Sequence, residues 1–506
     1  MTKPLSLLIR CYAVIMLTIF PLWADQGYLN LNETKTGFVW IITPLFLLLF
    51  IVLSSTQTWK YAAATCKKRS NKILFALLVF FVFAIALSLI LAQKKFETLV
   101  SEQGLLMHLG YVMIFMVFTF FGTWSWSYCS YISIAVAANA LIATLQVGGM
   151  NPLLLYPYDL SYFDSGISYS GEYLTPMGNT NVLSVWLILS AVLCVGAMLC
   201  AETKTQRVIG AMGCFAAAYT GALADTWAFA LSLPAALLII GFFTVSSGRS
   251  LLCWFSATVL SSGGFLLGHA VHRAVKEQIE PNLFLIALCL SIVGLILVLV
   301  TIKKVKAPQR GSSKRWAVGW SSVIISLAAT ALVLIYYMPT ENLNGLIYEL
   351  HEILRGRGED SFGSHRYQIW TETITAIKTH SLFGTGAPFS DGVQIEFRRL
   401  TENNVLFVTH VEDAHNLLLS WLYHNGIIGT FAGLSVIAVV LIRALRTNNG
   451  ANLVCGAAVV SYLAASMFCV SGCFTDPLFW MILGFAAFTP AVNCGSFLDR
   501  EAASEL

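Results

Sequence analysis

A chain of 506 residues with 57% hydrophobic and only 11% charged side chains is not a soluble globular protein, which usually carries about a quarter charged residues. Its net charge of +4 is too small to indicate a nucleic-acid partner, whose binder would gather basic residues on one soluble face. The twelve cysteines sit mostly inside apolar runs, at Cys11, Cys194, Cys200, Cys214, Cys289 and Cys469 for example, and form no CxxC; they read as small buried hydrophobes.

Apolar runs recur along the whole chain, each close to the length of about 17–25 residues that takes a helix across a bilayer. They lie near 5–23, 37–55, 73–92, 104–122, 126–148, 180–201, 208–224, 226–245, 251–268, 283–302, 316–337, 414–442, 451–470 and 477–494. The runs are continuously apolar, so helices are expected over strands. The first follows Lys3 and contains Arg10; no small-residue cleavage site follows it, and it reads as a retained helix. Very short turns join the pairs 104–148 and 208–245. The fold class expected is therefore all-α, a polytopic helical integral membrane protein of about 12–14 spans.

Basic residues orient such a bundle, because Lys and Arg accumulate on the cytoplasmic side. Loop 56–72 carries Lys60, Lys67, Lys68, Arg69 and Lys72; loop 303–315 carries Lys303, Lys304, Lys306, Arg310, Lys314 and Arg315; loop 443–450 carries Arg443 and Arg446. All three fall on one side, with both termini, while loop 149–179 has no Lys or Arg and falls on the other. Three regions follow: an N-terminal transmembrane bundle at 1–337, a large extracytoplasmic loop at 338–413, and C-terminal helices with a short cytoplasmic tail at 414–506. The large loop is polar and holds Glu352, Arg355, Arg357, His365, Arg366, Lys378, Arg398, Arg399, Glu412 and Asp413. Long structured loops tend to carry function. Within it, residues 366–380 have a helical pattern with Ile369, Trp370, Thr373, Ile374 and Ile377 on one face, and His380 to Gly386 reads as a helix stop and glycine turn.

Three segments carry chemistry. Ala414-His415-Asn416 stands where the polar loop enters an apolar helix. An imidazole there can exchange a proton near neutral pH, while Asp413 or Asn416 can simply cap the helix. Ser364-His365-Arg366 with Trp370 offers a planar guanidinium suited to phosphate oxygens, or a solvated charge. Arg398-Arg399 is a further cationic pair. Gly178-Asn179-Thr180-Asn181 opens a middle span with two amides that can bind a sugar or cap the helix. His365, His380, His410 and His415 share one loop, but none stands four residues from another and no HExxH or DxD occurs, so no metal is expected and no other cofactor either.

In their order these segments resemble the O-antigen ligase and polymerase superfamily of bacterial membrane glycosyltransferases. The matching residues are Arg366, Trp370, Ala376, the His380–Gly386 turn with Ser381 in place of a proline, Ala414-His415-Asn416, Gly426-Ile427-Ile428-Gly429 and Gly178-Asn179-Thr180-Asn181. The chain departs from the pattern at Ala224-Asp225-Thr226, where members commonly carry Ser-Arg, and at His424-Asn425, in place of an acid. The resemblance implies transfer of a glycan from a polyprenyl diphosphate carrier to an acceptor hydroxyl on the outer face of the bacterial cytoplasmic membrane, inverting and metal-independent. His415 and Arg366 would be catalytic; Asn416, Trp370, Arg398, Arg399, Asn179 and Asn181 would bind substrate. The partners would be the lipid-linked donor, a glycan, lipid or protein acceptor, and membrane lipid. The alternatives are a transporter or flippase, which would place charges and broken helices at mid-membrane, and a non-catalytic homologue.

Overall fold

The structure, a computed structural model, describes residues 2–67, 69–91, 104–157, 161–163, 171–276, 281–302, 326, 330, 333–338, 345–386, 396–400, 406–411, 413–447, 449–469 and 472–488. Helix α1 (Lys3–Val14) runs on through a π turn to Leu22 and is followed by α2 (Leu31–Leu53), α3 (Thr56–Cys66), α4 (Arg69–Leu91), α5 (Leu105–Phe121) and α6 (Ser127–Val147). A two-residue-per-strand hairpin, β1 (Tyr173–Leu174) and β2 (Gly178–Asn179), leads into α7 (Thr180–Cys200). Then come α8 (Lys204–Leu223), α9 (Trp227–Thr244), α10 (Gly248–Val275) and α11 (Pro281–Ile302). Two short helices, α12 (Gly345–Leu354) and α13 (Arg366–Thr379), precede an antiparallel hairpin of β3 (Glu396–Leu400) and β4 (Leu406–His410). The chain closes with α14 (Leu417–Arg446), α15 (Gly450–Ala465) and α16 (Asp476–Ala487).

This is an all-α polytopic membrane protein: among the described residues ten helices are long and apolar enough to cross a bilayer. The difference from the expected count has physical causes. α5 and α16 are apolar but shorter. α8 is long enough, yet is not among the ten; it is built from Gly, Ala and Thr and begins with Lys204 and Arg207. Those small residues serve packing, since a Cβ on Gly210 would stand 2.6 Å from the carbonyl oxygen of Cys194 in α7, the close helix approach that membrane interiors favour. The expected span at 316–337 and the basic loop at 303–315 lie largely outside the described residues.

α7 is the axis of the bundle. Its apolar window is entirely buried, as a helix that is hydrophobic all round must be, and α8, α9, α15 and α6 pack around it. The helix directions sort the charges. Arg443, near the end of α14, donates to Asn71 at the start of α4 (2.9 Å), so these termini share one end of the bundle. Lys67, Lys204, Arg207 and Arg249 lie at or near helix termini, and Lys60 within the short α3, that the short turns bring to that same end. The opposite end receives the starts of α7, α9 and α14 and the ends of α8 and α10. It also holds Gln26, Leu154, Thr175, Asp225, Ser364, His365 and His415, the non-glycine residues in the left-handed region among those described. Such conformations cost about 1–3 kcal/mol each and persist where surrounding structure imposes them, commonly at functional sites.

One charge escaped the sequence reading. Lys35 in α2 is fully buried and donates to the Phe20 carbonyl at 2.6 Å, with its ammonium 5.0 Å from the Phe20 ring. Conversely Arg10 is exposed on α1, and Asp225 sits at a helix corner and not within a span.

Candidate functional site

Arg366 opens α13 and is aimed by the backbone before it. Ser364 (φ 57°) and His365 (φ 66°) are consecutive left-handed residues, and the turn they make swings the guanidinium under the bundle. Nη1 donates to the Gly363 carbonyl (2.8 Å); Nη2 donates to Asn181 Oδ1 (3.3 Å) and to the Phe468 carbonyl (3.2 Å). Nε is buried and has no acceptor among the described residues. Among the described residues no carboxylate pairs with this cation. Burial pushes its pKa down, but a guanidinium keeps its proton. A partly buried positive charge met, among the described residues, by neutral carbonyl oxygens is costly unless an anion completes it.

His415 faces the same cation. It is held left-handed (φ 51°) because its N–H donates to Asp413 Oδ1 (2.7 Å), while Asp413 Oδ2 accepts from Ser420 (3.1 Å). The imidazole Nδ1 is buried without a partner. Burial, then the charge of Arg366, push its pKa down to about 4, so the ring is neutral at pH 7 and free to accept a proton. Asn416 caps α14 through Oδ1 to the Leu419 N–H (3.1 Å), and its amide nitrogen donates to the Met467 carbonyl (3.1 Å).

A third wall is the turn at 466–469, which the sequence reading missed. Met467 and Phe468 present the carbonyls that hold Asn416 and Arg366. Cys469, buried beside them, has its thiol pushed up to about 12 by burial and stays protonated. Trp370 straps the wall together: its indole N–H donates to the Ala414 carbonyl (3.0 Å), and its ring lies 6.3 Å from that of Phe468. On α13, Ile369 and Thr373 are buried as expected, but Ile374 is exposed. Asn179 caps α7 by accepting from the Asn181 N–H (2.9 Å), which leaves the Asn181 side chain to reach Arg366.

The two glycine motifs lock into each other. α14 is interrupted at Gly426 (φ 63°, ψ −174°), backbone open to glycine alone. The 381–386 turn plugs the gap: Thr385 and Gly386 donate to the Tyr423 and His424 carbonyls (2.8 and 3.1 Å), and Ile427 and Ile428 donate back to Ser381 and Leu382 (2.8 and 3.2 Å). Ser88 of α4 adds a bond to the His424 carbonyl (2.8 Å). Two of the donors freed by the break, the Ile427 and Ile428 N–H groups, are thus satisfied, as burial requires.

Asp225 occupies the α8–α9 corner (φ 48°). Its carboxylate oxygens lie 3.6 Å from His269 Nδ1 and 3.4 Å from His272 Nε2 on α10. His272 Nδ1 contacts the Leu223 carbonyl (2.9 Å); since a carbonyl only accepts, Nδ1 carries the proton there. For Arg398 and Arg399, the backbone register sets them opposite Val408 and Phe407. Glu412 lies outside the described residues. Among the described residues no group of three His, Cys, Asp or Glu is placed to share a metal ion.

Residues 237–434 match the family described as O-antigen ligase, a stretch that contains Arg366, the interlocked glycine turns and His415. Over that stretch the chain is similar to the O-antigen ligase family. No curated protein matches it. The match points to a role in cell-surface polysaccharide synthesis, and the matched stretch is contacted by Asn181 and the 466–469 turn, both beyond it.

Proposed function

We propose that this enzyme transfers a glycan from a polyprenyl diphosphate carrier to an acceptor hydroxyl at the outer face of the cytoplasmic membrane, with His415 and Arg366 in the catalytic roles. The observation that carries the reading is the partly buried guanidinium of Arg366, which has no acid partner among the described residues and lies beside a neutral imidazole. The diphosphate is the anion that Arg366 lacks; planar donors match phosphate oxygens. The acceptor oxygen attacks the anomeric carbon, the carbon–oxygen bond to the diphosphate breaks, and the diphosphate leaves with the bonding pair. His415 takes the hydroxyl proton, and Arg366 stabilises the charge that develops on the leaving group. Attack opposite the leaving group inverts the anomeric centre. Asn181 and Asn416 orient Arg366 and the 466–469 turn, and Arg398 or Arg399 supplies a second cation to the diphosphate. The site lies between helix termini and a polar loop, where lipid would approach from the bilayer and sugars from outside.

The test measures donor-lipid affinity and transfer rate separately in nanodiscs. His415→Ala is expected to bind donor normally and to lose about 10²–10⁴-fold in rate, the span of general acid–base catalysis. Arg366→Lys keeps the charge but loses the fork and is expected to bind donor more weakly. Full transfer by His415→Ala would leave the reading without its base. Activity is expected to survive a chelator; loss with recovery on one added metal ion would refute the metal-free route.

A further inference from the structure

The backbone just before Arg366 runs left-handed for three residues. Gly363, Ser364 and His365 take φ values of 63°, 57° and 66°. Runs of such angles are rare, because Cβ then crowds the following carbonyl oxygen. Ser364 and His365 are exposed, so tight packing around their side chains does not impose the conformation. The turn closes on itself through main-chain bonds. The His365 N–H donates to the Ser361 carbonyl (3.1 Å), the Arg366 N–H to the Gly363 carbonyl (3.3 Å) and the Tyr367 N–H to the Phe362 carbonyl (3.2 Å).

A carboxylate from another helix grips this turn. Glu349 of α12 accepts the Gly363 N–H through Oε2 (2.9 Å). Its neighbour Tyr348 sets its ring 6.1 Å from that of the buried Phe362. The Phe362–Gly363 peptide is therefore held from both sides: its carbonyl takes the Tyr367 N–H, and its own N–H meets the carboxylate. Bonds chained in this way polarise and strengthen one another. The Gly363 carbonyl in turn accepts from Arg366 Nη1 (2.8 Å), so the residue that Glu349 grips is also the one that the guanidinium leans on. α12 is itself anchored. It ends at Gly356 (φ 73°), Arg357 folds back onto Glu352 (2.8 Å), and Arg355 donates to the Tyr336 carbonyl (2.9 Å).

We propose that Glu349 is a positioning residue for Arg366: its carboxylate holds the left-handed 363–365 turn, and the turn aims the guanidinium. This rests on the transfer reading above and adds what fixes its cation in place. Glu349 bonds to main chain and acts on the diphosphate only through Arg366. Left-handed Ser364 and His365 persist only where surrounding bonds offset their strain. Without the carboxylate the turn relaxes toward ordinary backbone, and the first residue of α13 swings away from Asn181 and the Phe468 carbonyl, its two other partners.

The experiment titrates the full chain in nanodiscs with undecaprenyl diphosphate and, as control, undecaprenol, read by native mass spectrometry. Glu349→Ala is expected to weaken the diphosphate about tenfold, the order of one lost hydrogen bond to a charged group, and to leave undecaprenol binding as it was. Two rescues separate aiming from general damage. Glu349→Gln keeps an oxygen for the Gly363 N–H and should recover most of the affinity. Ser364→Gly, added to Glu349→Ala, should recover it too, because glycine takes left-handed angles without strain. In an Arg366→Gln background Glu349→Ala should add nothing, since the two changes then remove one interaction. Additive losses in that cycle, an equal loss of undecaprenol, or no rescue by glycine would overturn the positioning role. Should Glu349→Ala fail to fold, Glu349→Asp, which keeps the charge one methylene short of its reach, takes its place in the same cycle. The two readings fail separately: diphosphate binding indifferent to Arg366→Gln refutes the cation of the transfer reading, whereas binding that needs Arg366 but not Glu349 refutes only the positioning.

Discussion

His415 and Arg366 are coupled through charge, and that coupling is measurable. Burial and the neighbouring guanidinium set the His415 pKa near 4, below the ordinary value of about 6.5. The acid limb of kcat/KM, which reports the free enzyme, is therefore expected near pH 4. Removing the positive charge in Arg366→Gln should move that limb upward, toward ordinary histidine; an unmoved limb would show that the two groups do not sense each other. The stability sign follows: the unfolded chain binds this proton more readily, so stability is full above about pH 6.5 and falls as the pH drops toward 4. At this scale the sequence showed Arg366, His415 and Asn416, because each is a polar side chain at a membrane edge, where polarity is costly. It could not show Met467 and Phe468, which act through main-chain carbonyls that every residue carries.

The interlock of the 381–386 turn with the break in α14 explains why two glycine motifs stand 40 residues apart in one chain. A Cβ on Gly384 would stand 2.5 Å from both the Gly426 nitrogen and the His424 carbonyl oxygen, and one on Gly426 would strike Gly384 and Leu382. Gly426→Ala is thus expected to cost about 1–3 kcal/mol from its conformation alone and to lower the thermal transition and activity together, because the break sets where α14 begins its course away from His415. Gly248→Ala, at a position with open space and no special backbone angle, is the control and should change neither. A Gly426→Ala protein with wild-type stability would mean that the turn tolerates slippage. Each motif was legible as a turn, since glycine after a helical run marks one. That one turn plugs the other was not legible, because backbone-to-backbone bonds leave no trace in residue type.

Across the whole molecule, apolar length and basic clusters carried most of the architecture, as bilayer thickness and hydrogen-bond satisfaction constrain it so tightly. They also marked α8, whose small, partly polar residues pack against α7 and α10. Orientation is the property the bundle leaves to experiment. Arg366, His415 and Asp225 lie at one end, and Lys60, Lys204, Arg207, Arg249, Arg443 and Arg446 at the other. Because Lys and Arg stay cytoplasmic, the site end is expected outside. Single cysteines in a background without the twelve native ones test this with an impermeant thiol reagent on intact cells. Ser361→Cys, exposed just before α13, is expected to react at once. Gln57→Cys, exposed in α3, is expected to react only after the membrane is opened. The reverse pattern would place the site in the cytoplasm, where a donor already displayed on the outer leaflet could not reach it, and the proposed transfer would fail with the topology.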